Sequence, residues 1–267
     1  MFRRIPIAAA PADRRRPNGP GRRRRRGVHV LLAVVTAVAT LWLTAGPALA
    51  ATGPVSSANA RWLDATYTTL LGRPADDGGL DHHLAVIAAG GSESRRDLAH
   101  GLLVSPEGSR AEVRRAYGQL LGRSPDPVGE DYWTTHLSGH GVLDLRVLLM
   151  AGDEFHLRAG GTDDAWITAL YQEVLGRSPE AAGRAYWLGL VQIGVPRAAI
   201  AGAIYQSPEA LGRRVDAYYQ DLLGRSPSAA ERAGGANVIL ASGERRLRAQ
   251  VWASDESFES FLDAAWS

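Results

Sequence analysis

The stretch Tyr117-Gly118-Gln119-Leu120-Leu121-Gly122-Arg123-Ser124-Pro125-Asp126 decides the fold, because the chain returns to it in register. Leu71-Gly72-Arg73, Leu121-Gly122-Arg123, Leu175-Gly176-Arg177 and Leu223-Gly224-Arg225 set their glycines 50, 54 and 48 residues apart. A tyrosine stands five positions before each glycine: Tyr67, Tyr117, Tyr171 and Tyr219. Another glycine follows seven positions after the first three (Gly79, Gly129, Gly183), and Glu231 holds that place in the fourth. Each unit closes on Ser-Pro-Glu or a variant: Ser105-Pro106-Glu107, Gly152-Asp153-Glu154, Ser207-Pro208-Glu209 and Ser254-Asp255-Glu256. Similarity at a fixed interval of this length marks a repeat architecture.

Working outward, the residues before each glycine read as an amphipathic helix. Val113, Ala116, Tyr117, Leu120 and Leu121 fall at i, i+3, i+4, i+7 and i+8. Leu63 to Leu71, Ile167 to Leu175 and Val215 to Leu223 keep that spacing, the single apolar stripe of a 3.6-residue period. Glycine just beyond the last turn takes a left-handed conformation without a Cβ clash. The arginine after it is expected to reach the terminal carbonyls, and Pro74, Pro125, Pro179 and Pro227 prevent the helix from resuming at once.

A second helix comes next, carrying Tyr132-Trp133 in copy two and Tyr186-Trp187 in copy three. A third apolar segment succeeds it, Leu143 to Met150 and Ala198 to Tyr205. The closing Ser-Pro-Glu then supplies an N-cap and a first-position proline for the next tyrosine-bearing helix. No alternating run or Asn-Gly and Asp-Gly hairpin supports strands. The expectation is an all-α protein of tandem three-helix repeats of about 50 residues, packed into an array or a bundle because such a unit is marginal alone. Residues 61–158 would hold copies one and two, residues 159–262 copies three and four, and 51–60 a linker.

Residues 1–50 read as a secretory signal: Arg22 to Arg26, an apolar run from Val28 to Ala45, Gly46-Pro47, and Ala48-Leu49-Ala50 as an A-x-A cleavage site. The competing reading is a retained anchor, since the apolar run is near the shortest that spans a bilayer. Cleavage after Ala50 places the mature chain outside the cytoplasm or on the cell surface, touching membrane only during export. It also leaves 20 basic and 27 acidic residues, a net charge of −7. That balance argues against nucleic-acid binding, which draws on Lys and Arg to neutralise phosphates. The absence of cysteine leaves stability to the core.

Taken together, Tyr117, Leu120-Leu121-Gly122-Arg123, Pro125-Asp126, Gly129 and Tyr132-Trp133 resemble the bacterial domain of unknown function 4214. The resemblance spans most of residues 60–260 and is specific in copies two and three. Copy one departs from it with His82-His83 in the Tyr-Trp slot, copy four with Gly234-Gly235 there and Ser228 in the acidic slot. It implies a small helical domain of exported or surface bacterial proteins, with no reaction and no catalytic residues.

The slot four residues after the glycine holds Asp76, Asp126, Glu180 and Ser228. Calcium would want several oxygens from one compact loop, whereas a helix cap needs one, and serine suits only the cap. Asp76, Asp77, Asp81, His82 and His83 crowd together but fan around a helix, and Gly139 interrupts the His136/His140 pair. Neither is read as a metal site, and no cofactor is implied. The Tyr-Trp pairs read as core packing before sugar-stacking platforms. Glu107, Glu154, Glu209 and Glu256 are helix-start acids favoured by the dipole before they are glycosidase carboxylates. The function expected is a non-catalytic binding or structural module for a protein or glycan of the cell envelope. The alternative is a carbohydrate-active hydrolase, which a pocket with two facing carboxylates and a tryptophan would favour.

Overall fold

The computed structural model describes residues 54–139 and 141–266, so the expected signal segment and its cleavage site lie outside the described residues. The chain is all-α, and no strand occurs among the described residues. Helix α1 spans Pro54–Leu71 and begins inside the stretch expected to be a linker, with Ala58 already buried. After it come α2 Asp77–Val104, α3 Pro106–Leu121, α4 Pro127–Gly139, α5 Val142–Ala151, α6 Asp153–Arg158 and α7 Asp163–Leu175. The rest are α8 Ala181–Gln192, α9 Arg197–Tyr205, α10 Pro208–Leu223, α11 Ala229–Ser242, α12 Glu244–Trp252 and α13 Asp255–Trp266. No described helix is long and apolar enough to cross a membrane.

Local chemistry sets the boundaries. Gly72, Gly122, Gly176 and Gly224 have φ of 79°, 65°, 66° and 67° and end α1, α3, α7 and α10. Ser105 and Ser207 accept from the backbone N–H of Gly108 and Ala210, with Pro106 and Pro208 opening α3 and α10. A fifth Leu-Gly-Arg, Leu211-Gly212-Arg213, lies within α10 and ends nothing. Arg214-Val215 stands directly after it and continues the apolar stripe, in place of a proline. Two segments depart from the three-helix expectation. Gly152 lacks a capping side chain, and Gly160-Gly161 (φ 119° and 71°) divide copy three's first helix into α6 and α7, the latter recapped by Thr162. In copy one, the second and third helices run together as α2, bent at Gly91 (φ 59°).

Gly224 and Gly234 make a matched test. A Cβ at either would meet no atom within 4 Å, but Gly224 is left-handed and Gly234 sits inside α11. Gly224→Ala is expected to cost about 1 kcal/mol and Gly234→Ala to gain about 0.5 to 1 kcal/mol. Urea unfolding of the two variants should therefore move in opposite directions.

Core distribution does not respect the expected 61–158 and 159–262 halves. One cluster gathers Trp62, Leu63, Tyr67 and Leu70 of α1 with Ile87 and Leu103 of α2, and joins them to Ala249, Trp252 and Phe258 near the other end of the chain. The middle of the chain, from Val113 to Ala210, forms a second cluster around Trp166, Ile167, Leu145 and Met150. A smaller one lies between α10, α11 and α12. Helix α13 packs on α1 and α12 on α2, so the last helices close on the first. Polar groups pin this closure: Trp252 Nε1 donates to Thr66 Oγ1 at 2.8 Å, and buried Arg95 lies 3.8 Å from the Phe258 ring centre while pairing with Asp255.

Candidate functional site

Two polar arrangements stand out, one recurrent and at the surface, the other single and internal. In the recurrent one, the arginine of each helix-ending Leu-Gly-Arg grips the glutamate of the next closing motif. Nη2 of Arg73, Arg123, Arg177 and Arg225 donates to Glu107, Glu154, Glu209 and Glu256 at 2.9, 2.7, 2.8 and 2.6 Å, while Nε donates to the other oxygen. The same guanidiniums lie 5.1 to 5.3 Å from the ring centres of Tyr67, Tyr117, Tyr171 and Tyr219. This corrects the expectation that the arginines reach the carbonyls of the preceding helix. They donate instead to the carbonyl one residue onward, because the bidentate fork of a nearby carboxylate orients the planar guanidinium.

The remaining motif positions serve this clasp. A Cβ at Gly79, Gly129 or Gly183 would stand 2.8, 3.4 or 3.0 Å from the hydroxyl of Tyr67, Tyr117 or Tyr171, so the glycine makes room for the phenol. Asp76 and Asp126 cap the second helix by accepting from the N–H of Gly79 and Gly129. Ser228 does so through a capping box with Glu231. Glu180 makes no capping bond and turns to Arg177 at 2.8 Å. Trp187 packs against the core and donates to the Tyr171 hydroxyl at 2.8 Å; in copy one His83 bonds Tyr67 in its stead. Trp133 also packs on the core. Tyr132 and Tyr186, expected in or beside the core, are about 60% exposed. Gly235 takes the tryptophan slot in copy four because a Cβ there would meet Val215 at 2.8 Å. Among the described residues no group of three or more His, Asp or Glu is placed to hold a metal ion.

Hydrogen bonds from the arginines hold Glu107, Glu154, Glu209 and Glu256 below the usual glutamate range. The Arg225 hydrogen bond brings Glu231 down to about 2. A depressed carboxylate stabilises the fold above its unfolded value of 4.5 and loses that contribution as pH falls through the folded value. The melting temperature should therefore drop between pH 4.5 and about 2. Arg225→Gln should flatten that decline, as monitored by circular dichroism.

The internal arrangement is a cleft of about 320 Å³ between α3, α5, α7, α9, α10 and α12. On one wall, Glu244 accepts from the Tyr205 hydroxyl at 2.9 Å and the Tyr218 hydroxyl at 3.1 Å, one on each oxygen, and lies 3.2 Å from Arg214. From α3 and α5, Arg146 donates to Gln119 at 2.9 Å and lies 3.4 Å from Glu112, which also pairs with Arg115. Arg248 donates to the Thr69 carbonyl at 3.1 Å. Burial, then the Glu244 charge, raises the phenols of Tyr205 and Tyr218, so both remain protonated donors. Burial works to lower Arg146, but Tyr205, Glu112 and Glu244 outweigh it and raise the group.

None of these cleft residues was singled out from the sequence, though a signal was present. Five positions before the repeat tyrosine stand Trp62, Glu112, Trp166 and Arg214. The two tryptophans are fully buried core residues, whereas Glu112 and Arg214 line the cleft. Charge in a register position that is otherwise apolar marks the place where the copies differ in role. The other contributor is α12, whose Arg245, Arg246 and Arg248 bond respectively to the Leu103 and Leu137 carbonyls, Asp97, and the Thr69 carbonyl.

Residues 147–214, from within α5 to within α10, match the model of a family described as a domain of unknown function (DUF4214). This segment is similar to the DUF4214 family. The matched segment contains Tyr171, Gly176, Arg177, Tyr186 and Trp187, the clasp to Glu209, and the cleft residues Glu173, Tyr205, Arg213 and Arg214. The match is narrower than the resemblance over residues 60–260, and it leaves the copy-two motif outside. No curated protein and no solved structure matches the chain.

Proposed function

We propose that this chain is an exported, non-catalytic binding module of the bacterial cell envelope or extracellular space, and that it binds through the central cleft. The observation that carries this reading is the convergence of guanidiniums, carboxylates and phenols from several helices onto one cleft. Side chains drawn from separate repeats and held by mutual hydrogen bonds make a preorganised recognition surface. The recurrent clasps are better explained as struts between successive units, since four equivalent copies give no unique reacting point. Export rests on the Arg22–Arg26 run, the apolar stretch and the A-x-A pattern.

A carbohydrate-active hydrolase is the second reading, favoured by two carboxylates, Glu112 and Glu244, on the cleft walls. Against it, both Glu244 oxygens accept from tyrosine hydroxyls, Glu112 is engaged by two arginines, and no tryptophan lines the cleft. The test is a pull-down with the exported protein against envelope fractions and purified polysaccharides, with product analysis of every glycan. Retention of one protein or glycan without bond cleavage supports a binding module. Release of shortened glycan that Glu244→Gln abolishes overturns it in favour of the hydrolase.

A further inference from the structure

The charges inside the cleft do not balance. Four arginines reach its inner walls, Arg115, Arg146, Arg214 and Arg248, and face only two inner carboxylates, Glu112 and Glu244. The other acids lining it, Glu173 and Asp221, lie at the exposed rim together with Arg213. Arg213 holds its guanidinium over Gly176 at the C-terminal end of α7, so the rim carries one net negative charge and the lining as a whole one net positive charge. Arg248 is the least compensated of the inner group: it donates to one carbonyl, and among the described residues no carboxylate lies within ion-pair distance of it. Glu112 and Glu244 are already engaged by two partners or more and have little left to offer it.

A partly buried guanidinium without a counter-ion is costly, and the cost is removed when an anion enters beside it. The protein supplies the other parts of an oxyanion site as well. Arg146 and Arg248 present forked N–H donors suited to a carboxylate or phosphate. A cleft of about 320 Å³ stands at the small end of ligand sites, which limits the occupant to a compact molecule or the terminal group of a larger one. The inner excess of guanidiniums, which the acids of the rim only partly offset, favours an anionic occupant.

We infer that the cleft binds a small anion bearing a phosphate or carboxylate group, held by Arg146 and Arg248. This rests on the reading of the cleft as the binding site and adds the class of ligand. The test is titration of the purified protein at low salt, with calorimetry and tyrosine-ring NMR. The probes are inorganic phosphate, succinate, maltose as a neutral polyol and putrescine as a cation. Phosphate, succinate or both should bind at one site and shift the Tyr205 and Tyr218 signals, and which of them does so separates the two sources of the anion. Added salt should weaken the binding, and Arg248→Met should weaken it about tenfold or more, while Arg96→Gln, outside the cleft, should leave it unchanged. If Arg248→Met does not fold, Arg248→Lys serves, with an intermediate loss expected because an ammonium cannot chelate two oxygens. Maltose or putrescine moving the tyrosine signals while the anions do not would overturn the ligand class and leave the binding site standing. Anion binding indifferent to both Arg248 variants would overturn the inference, as would no response to any probe. Capture of an envelope partner in the pull-down would then still support the broader reading.

Discussion

Trp166→Ala is expected to destabilise the protein by about 4 kcal/mol, the largest effect of any single core substitution, read as a fall in urea-unfolding free energy. The indole is fully buried at the start of α7 and donates from Nε1 to the Met150 carbonyl at the end of α5, 2.8 Å away. That carbonyl sits in the last turn of α5, where backbone acceptors run out of helical partners, so the indole both fills the core and satisfies a helix end. Truncation to alanine removes the ring, leaves a void that close-packed neighbours such as Ile167 and Leu145 can only partly collapse into, and strands the acceptor. Trp166→Phe separates these contributions, because it keeps most of the apolar volume and loses only the N–H. Its cost should be about 1 to 2 kcal/mol. Since domains of this kind are stable by only about 5 to 15 kcal/mol, the alanine change removes from about a quarter to most of that margin. Equal losses for the two variants would mean that the hydrogen bond, not the packing, holds this joint.

The sequence revealed local features and concealed distant ones. The left-handed glycines and the Ser-Pro helix starts depend on a few consecutive residues, whose conformational preferences operate whatever the rest of the chain does. Where such a signal was incomplete the expectation slipped: Gly152 has no hydroxyl to cap α6, and copy three's first helix came out in two pieces. The arginine clasps join residues 31 to 34 apart, so no helical spacing announces them. Their recurrence could have done so, because an arginine and a glutamate return together in all four units. The cleft was hidden more deeply. It depends on α12 lying across the other units and on Glu112 and Arg214 occupying a register position that tryptophan holds elsewhere, and the second of these was readable once the four copies were aligned on their tyrosines. An alignment made for similarity alone passes over the positions where copies diverge, and those are the positions that line the cleft. The closure of α13 on α1 is tertiary and had no local signature.

Glu244→Ala is the second large effect expected, a loss of about 3 to 5 kcal/mol that does not come from packing. Glu244 is buried, and its carboxylate takes hydrogen bonds from Tyr205 and Tyr218 while standing 3.2 Å from Arg214. Arg214 is itself largely enclosed, with its guanidinium 3.9 Å from the Tyr205 ring centre. Removing the carboxylate leaves that cation without a counter-charge and two protonated phenols without their acceptor. If the carboxylate's charge is what matters, the double variant Glu244→Leu, Arg214→Leu should be more stable than Glu244→Leu alone, since deleting both partners removes the uncompensated cation. A double variant worse than either single change would show instead that Arg214 stabilises the fold through its stacking on Tyr205. Glu244→Gln discriminates further: the amide retains the shape and one acceptor oxygen but carries no charge. A loss close to that of alanine would assign the effect to charge compensation, and a loss of about 1 kcal/mol would assign it to the hydrogen bonds from the two tyrosines.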